Sequence, residues 1–444
     1  MFLIYSLLLT LAFILMSPLF LLRREKYAAG FQERLGNYPK FVHDGRKVIW
    51  LHCVSVGETN AARPLVDEIK ANFPHHRLIV STTTKTGQEL AQNIFKDKAD
   101  AVFYFPFDWK FSVRRALRHF KPDIVLLMET EIWFNFFHEA HKSGAKLSVV
   151  NGRLSERSAN RYSYIKSFIS RVLTCVDLAL MQGNADAERI VSLGIDEKKV
   201  QVTGNLKFDH NLEATETALT DEFRTRFAIC PERPLIVAAS THEPEEQWLL
   251  DAFCDTRNDS VENPRLLIAP RHPERFEKVA AMIQDFLETN WPSYTFARRS
   301  GGPSDSDKFA DVILLDSIGE LRAVYPLAEI VFVGGSLIPH GGQSILEPAA
   351  AGKAIVTGPH THNFESVVKE LLARNALIRV PETPQEFQIP GELYEIFTDL
   401  LGDVRKRREL GKNALAAMNV NRGATAKTIN YLLSHLRQFG IAEN

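Results

Sequence analysis

The sequence predicts an α/β protein made of two doubly wound halves in tandem, behind an apolar N-terminal segment. Three observations carry that prediction. From residue 48 onward, short β-rich runs alternate with amphipathic stretches of helical length. The runs are continuously apolar, as in Val125-Leu126-Leu127-Met128, which is how a parallel strand covered on both faces reads. The alternation breaks once, across residues 208–232, and then starts afresh.

In the first half the strand candidates are 48–54, 77–83, 101–106, 123–128, 146–151, 178–182 and 200–204, with helices such as 85–96, 109–120 and 154–174 between them. Repeated βα units imply a parallel sheet with right-handed crossovers. The interruption is polar (Asp209-His210-Asn211-Leu212-Glu213) and closes on Cys230-Pro231-Glu232-Arg233-Pro234. The second series has strands at 235–239, 265–269, 312–315, 330–333 and 354–357. Two Rossmann-like halves on a short linker are expected to hold a cleft between them. The expected divisions are an anchor over 1–24, a domain over 25–212 and a domain over 213–444. The last includes a charged helical stretch at 403–438, and final helices of this kind often pack back across the linker. Residues 300–308 read as a flexible surface loop, with Asp305-Ser306-Asp307 as solvated charge.

Bulk properties narrow the class. A chain of 444 residues, 45% hydrophobic and 24% charged, has ordinary globular composition and length for two or three domains of about 150 residues. A net charge of −1 gives no global pull toward nucleic acid. Four scattered cysteines without a CxxC pair fit neither a disulfide framework nor a zinc site, and read as buried free thiols in a reducing compartment.

The N-terminus stands apart. Residues 2–22 carry no charge and are apolar except for Tyr5, Ser6, Thr10, Ser17 and Pro18. At about 1.5 Å per residue the segment is just long enough to span a bilayer core. Arg23, Arg24 and Lys26 follow the apolar run rather than precede it, and bulky residues stand where a cleavage site would be. That is the pattern of an uncleaved anchor with the body in the cytoplasm. Pro18 and the marginal length leave open a segment that enters one leaflet only. Tyr27, Phe31, Arg34, Tyr38, Lys40 and Phe41 suit either an anionic headgroup layer or a solvated linker.

Residues with chemistry cluster where strands end, the edge on which open α/β sheets bind ligands. Glu58 stands in the small-residue turn Ser55-Val56-Gly57-Glu58 after the first strand, placed either as a general base or as an acid in the first turn of its helix. Glu129, in Met128-Glu129-Thr130-Glu131-Ile132-Trp133, lies on the same edge and reads as its partner, whereas Glu131 reads as a cap of the next helix. Lys207 in Gly204-Asn205-Leu206-Lys207 would steady a phosphate or carboxylate. In the second half, Pro270-Arg271-His272-Pro273 again follows a strand, with Arg271 offering a fork to an anion and His272 read as structural. Ile318-Gly319-Glu320 opens a further helix. The strongest signal is Gly334-Gly335-Ser336 with Gly341-Gly342-Gln343-Ser344-Ile345-Leu346-Glu347, a glycine-rich anion site with a carboxylate for ribose hydroxyls. It is neither a Walker A nor a GxGxxG sequence, so it points to a nucleotide sugar rather than to a nicotinamide cofactor. No metal motif stands out, and protein cations are expected to take a metal's place at a leaving phosphate.

Eight ordered motifs resemble the 3-deoxy-D-manno-octulosonic acid (Kdo) transferases of Gram-negative lipopolysaccharide synthesis. They are Ser-Val-Gly-Glu (55–58), Met-Glu-Thr-Glu-Ile-Trp (128–133), Asn-Gly-Arg-Leu-Ser (151–155), Gly-Asn-Leu-Lys-Phe-Asp (204–209), Ser-Thr-His-Glu (240–243), Pro-Arg-His-Pro-Glu-Arg-Phe (270–276), Phe-Val-Gly-Gly-Ser (332–336) and Gly-Pro-His-Thr-His-Asn-Phe (358–364). The resemblance covers nearly the whole chain. It implies a GT-B glycosyltransferase with an N-terminal membrane-anchoring helix, an acceptor-binding first half and a CMP-Kdo-binding second half. The implied acceptor is the lipid A precursor, tetraacyldisaccharide 1,4'-bisphosphate, and the implied location is the cytoplasmic face of the inner membrane. By the same resemblance Glu58 is the catalytic base, and Glu129 and Lys207 stabilise the transition state. Pro270, Arg271, Ile318, Gly319, Glu320, Ser344, Ile345, Leu346 and Glu347 contact CMP, and neither cofactor nor metal is implied. Two departures stand out. Ser344-Ile345 replaces the usual Asn-Pro, which removes proline's fixed φ, and Trp133-Phe134-Asn135 replaces Trp-Pro-Asn. The rival expectations are another membrane-surface GT-B transferase and a non-catalytic two-lobed binding protein.

Overall fold

The computed structural model describes residues 2–22, 29–209, 217–382 and 385–441, with side chains of the first helix described for residues 4–15. The chain divides into two compact units, Met1–His210 with Asn421–Asn444, and Asn211–Val420. The expected division between 212 and 213 lies outside the described residues.

The first unit holds a seven-stranded parallel sheet. Its strands are β1 (Val48–Cys53), β2 (Arg77–Thr82), β3 (Ala101–Tyr104), β4 (Ile124–Met128), β5 (Lys146–Gly152), β6 (Leu178–Met181) and β7 (Val200–Val202), in the order β3-β2-β1-β4-β5-β6-β7. Strand order reverses between β1 and β4, which pair from Ile49↔Ile124 to His52↔Leu127. Both strands are buried along their whole length, as their unbroken apolar runs require. One face of the sheet packs Trp50, Phe103, Phe105, Phe120 and Phe136; the other packs Leu51, Val80, Leu126 and Leu180.

The second unit repeats the plan. Its strands are β8 (Leu235–Thr241), β9 (Arg265–Pro270), β10 (Phe296–Arg298), β11 (Val312–Leu314), β12 (Ile330–Val333), β13 (Ala354–Thr357) and β14 (Ile378–Arg379), in the order β10-β11-β9-β8-β12-β13-β14. Here the order reverses between β8 and β12.

Several expectations need correction. The helix Ala424–Arg437 belongs with the first unit rather than the second. Ala424, Ile429, Leu432 and Leu436 enter the first unit's core, and Asp209 accepts the Gly423 and Thr425 N–H groups. The expected helix 154–174 is two helices, Glu156–Ser163 and Lys166–Leu173. The 300–308 segment is pinned rather than loose. The Arg226 guanidinium donates to the carbonyls of Arg298, Arg299 and Gly301 and pairs at 2.7 Å with Asp307, which is buried rather than solvated. Cys53, Cys175 and Cys254 are buried free thiols, and Cys230 is half-buried.

The N-terminal segment forms the helix Phe2–Leu22. Among the described residues no helix is long and apolar enough to cross a membrane. Tyr5, Ser6 and Thr10 bond to the body of the first unit. Tyr5 donates to Asp108 (2.9 Å), Asn135 to Ser6 (3.0 Å) and Trp109 to Thr10 (3.1 Å), and Phe13 packs edge-on against Trp109. Ile4, Leu7, Leu8, Leu11 and Leu15 are exposed. Arg23, Arg24, Lys26 and Tyr27 lie outside the described residues. Arg34, Tyr38 and Phe41, expected to meet headgroups or solvent, pack on the first unit instead. Arg34 lies over the Tyr104 ring, Tyr38 meets Phe103 and Phe120, and Phe41 receives the Arg77 guanidinium.

Candidate active site

Glu58 stands just past the C-terminal end of β1, at the reversal of strand order. Ser55 caps the helix Val56–Ala61, its hydroxyl accepting from the Glu58 N–H at 3.4 Å. The Glu58 side chain folds back over that turn. Its Oε2 accepts from the Val54 N–H at 2.7 Å and its Oε1 from the Ser55 hydroxyl at 3.1 Å. The two readings of this residue therefore coexist, because the carboxylate serves the capping turn and also stands on the ligand-binding edge. Glu58 is only 6% exposed. Burial pushes its carboxyl up to about 8, the neighbouring Glu129 charge adds to the rise, and the Val54 N–H opposes it. Such a group is far more basic than an ordinary glutamate, which suits a base for a sugar hydroxyl.

Glu129 follows β4. Its backbone sits in the left-handed region at φ 57°, a strained setting for a side chain of this size, and its N–H is held by the Val150 carbonyl. The turn aims the carboxylate at Lys207, whose Nζ lies 2.9 Å from Oε1. Lys207 rides on a short 3₁₀ turn, Leu206–Phe208, started by the Asn205 side chain and tied through the Leu206 N–H to Asn151 Oδ1. The structure thus brings Glu129 and Lys207 together, with Glu58 near enough to feel the Glu129 charge. Glu131 does not cap the following helix. Asp108 does, accepting from the N–H groups of Asn135 (3.1 Å) and Phe136 (2.8 Å).

In the second unit the first part of the glycine-rich loop, Gly334 to Leu337, is not an open anion site. Glu245, at the start of the helix Glu245–Asp259, fills it. Its carboxylate accepts from the N–H groups of His242 (2.9 Å), Gly335 (2.7 Å), Ser336 (3.0 Å) and Leu337 (2.9 Å). Three amides of the loop, Gly335 to Leu337, and that of His242 are thus taken by an internal carboxylate.

The other residues expected to contact CMP end or follow strands of the second sheet. Pro270 ends β9, and the Arg271 N–H bonds to Thr241 O while its side chain is exposed. Gly319 adopts φ 85° beside the exposed Ile318. Glu320 is committed to a two-pronged pair with Arg299 (both 2.8 Å), which holds its carboxyl below the usual range. Ser344 and Glu347 are half-buried, and Ile345 and Leu346 are buried. Burial raises the Glu347 carboxyl against the pull of Arg322.

Comparison with known proteins is consistent along the chain. A family model described as "3-Deoxy-D-manno-octulosonic-acid transferase (kdotransferase)" matches residues 29–210. The 3-deoxy-D-manno-octulosonic acid transferase of Haemophilus influenzae is 33% identical over 415 residues, covering 93% of each chain. The chain belongs to the 3-deoxy-D-manno-octulosonic acid transferase family. The family member from Bordetella pertussis is 30% identical over 86% of this chain and 86% of its own. Among solved structures, the UDP-GlcNAc 2-epimerase of Neisseria meningitidis superposes with a TM-score of 0.54 at 15% identity, over 87% of this chain and all of that one. That likeness shows the fold alone, the two-Rossmann GT-B plan.

Glu245 and Asp108 escaped the sequence reading of this family member. Both are buried carboxylates that cap backbone formed far away in sequence. The only available signal was an acid four residues beyond a strand end, Tyr104 for Asp108 and Thr241 for Glu245, too common to single out.

Proposed function

We propose that the protein transfers Kdo from CMP-Kdo to a hydroxyl of the lipid A precursor, tetraacyldisaccharide 1,4'-bisphosphate, by an inverting single displacement. Glu58 takes the hydroxyl proton. The resulting oxygen attacks the anomeric carbon of Kdo as CMP departs with the bonding electron pair. Glu129 faces positive charge developing on the sugar ring, and Lys207 and Arg271 offset negative charge on phosphate or on the Kdo carboxylate, without a metal. The second unit binds CMP through Pro270, Arg271, Ile318 to Glu320 and Ser344 to Glu347.

The observation that carries this reading is the carboxyl of Glu58, held near 8 by burial at the reversal of strand order with a paired Glu129–Lys207 beside it. Family membership supports Kdo as the transferred sugar. The helix Phe2–Leu22 supports a membrane-borne acceptor, since its inner face is hydrogen-bonded to the protein and its outer face is apolar. On this reading the helix lies in the cytoplasmic leaflet of the inner membrane rather than crossing it.

The test is to incubate the purified protein with CMP-Kdo and the lipid A precursor and to weigh the products. Addition of one or more Kdo units with release of CMP is the expected result, and Glu58→Gln should abolish it. Ligands recovered unchanged would instead mark a binding protein, and a product formed only from another nucleotide sugar would mark a different GT-B transferase.

A further inference from the structure

In the second sheet the reversal of strand order falls between β8 and β12, the place that β1 and β4 occupy in the first. Three histidines collect there. His242 follows β8, His272 follows β9, and His340 lies in the loop after β12. The His242 and His340 ring centroids are 4.3 Å apart, and His272 meets the His242 ring edge-on at 5.3 Å. Gly335, at φ 65°, passes so close that an added Cβ would stand 3.3 Å from the ring of His242.

His242 is 7% exposed, and neither of its ring nitrogens makes a hydrogen bond of normal geometry, although the Ser240 backbone leans toward the ring. A buried imidazole with no more than the off-line Ser240 backbone to meet its nitrogens is unfavourable unless something arrives to use them. Three of the carboxylates around it are engaged elsewhere, and a fourth, Glu274, stands beside His272. Glu245 holds the glycine loop, Glu246 pairs twice with Arg275 (2.8 and 3.1 Å), Glu243 with Lys278 (2.7 Å), and Glu274 lies 3.6 Å from His272. Burial first, then the His340 and His272 rings, hold the His242 imidazole down at about 4, so it is neutral in the ligand-free protein. An arriving oxyanion supplies the missing partner and favours the protonated ring. With the amides of Gly335, Ser336 and Leu337 already occupied by Glu245, these imidazoles and the exposed Arg271 side chain are donors that can meet a negative group at this point of the edge.

We propose that His242, with His340 and His272 beside it, is a ligand for a compact oxyanion of the nucleotide sugar, its phosphate or its sugar carboxylate. The inference rests on the donor reading above and adds residues to it. Binding is then coupled to proton uptake by the cluster.

The test is calorimetric titration of the full chain with cytidine, CMP and CMP-Kdo, for wild type, His242→Asn and the exposed-site variant His340→Asn. Proton uptake is read from two buffers at about pH 6, where a histidine raised by an anion titrates, and with CMP-Kdo, whose phosphate is a diester with no proton to take up in that range, so the uptake reports the protein. If the phosphate is the ligand, His242→Asn weakens CMP about tenfold or more, leaves cytidine unchanged and abolishes proton uptake, and His340→Asn weakens CMP less. If the carboxylate is the ligand, CMP is unchanged and CMP-Kdo weakens by the same factor. Unchanged affinities and unchanged proton uptake in folded variants overturn the inference while leaving the donor reading intact. A wild-type protein that binds neither CMP nor CMP-Kdo overturns both.

Discussion

The Lys207 ammonium lies 2.9 Å from the Glu129 carboxylate, and the charge so placed raises the carboxyl of Glu58. The three residues are therefore electrically linked, and the link has a measurable consequence. Removing the Glu129 charge removes a cause of the high Glu58 value. In Glu129→Gln the acidic limb of the pH–rate profile should move to lower pH, even as the maximal rate falls roughly ten- to a hundredfold with loss of the paired charge. A limb that stays in place would show that Glu129 does not act on Glu58.

Glu58 should also leave a signature in stability. Its native carboxyl titrates at about 8, above its ordinary value of 4.5. Between those values the native state holds a proton that the unfolded chain has released, so stability falls as pH rises through this window and levels off above it. Glu58→Gln stays neutral throughout. It should lose transfer by about a thousandfold or more, yet be less sensitive than wild type to a rise in pH from about 5 to about 8. Thermal unfolding across that range, followed alongside turnover, checks both halves.

Much of this organisation was legible because strands buried on both faces write unbroken apolar runs. Glu58, Glu129 and Arg271 were found because each follows such a run, and Lys207 because it follows the shorter, partly exposed β7. β10 and β14 were missed, since Phe296-Ala297-Arg298 and Ile378-Arg379 are too short and too partly exposed to leave a pattern. The state of the glycine loop was illegible for a different reason. Its occupant, Glu245, lies 90 residues before Gly335, and nothing local in either segment reports the other. The same holds for Asp307, which reads as solvated charge until Arg226, 81 residues earlier, is seen to bury against it.

Glu245 therefore has a structural role that substitution should expose. Although burial raises its carboxyl, four backbone N–H groups depend on it. Glu245→Ala strands those donors in the interior and should destabilise the second unit by about 3 kcal/mol or more. Glu245→Gln keeps acceptor capacity on one oxygen only and should fall between the two. Because a chain of two units need not unfold in a single step, the expected result is an earlier transition belonging to the second unit. Amide hydrogen exchange at residues 335–337 would localise it, and protection there unchanged in Glu245→Ala would refute the assignment.

The first helix makes the last prediction. Tyr5, Ser6 and Thr10 tie one side of it to Asp108, Asn135 and Trp109, while Leu7, Leu11 and Leu15 point away. A helix held in this way is suited to lie in a bilayer surface, because Tyr5, Ser6 and Thr10 are satisfied by protein and the side that carries Leu7, Leu11 and Leu15 is available to acyl chains. Leu7→Glu with Leu11→Glu should weaken sedimentation with anionic lipid vesicles by about tenfold or more, since two apolar contacts are lost and two charges must be kept out of the acyl region. Turnover on a short-chain, water-soluble acceptor should be unaffected, because the substituted positions face away from the hydrogen bonds that dock the helix. Vesicle binding equal to wild type would show that this helix face does not meet the membrane.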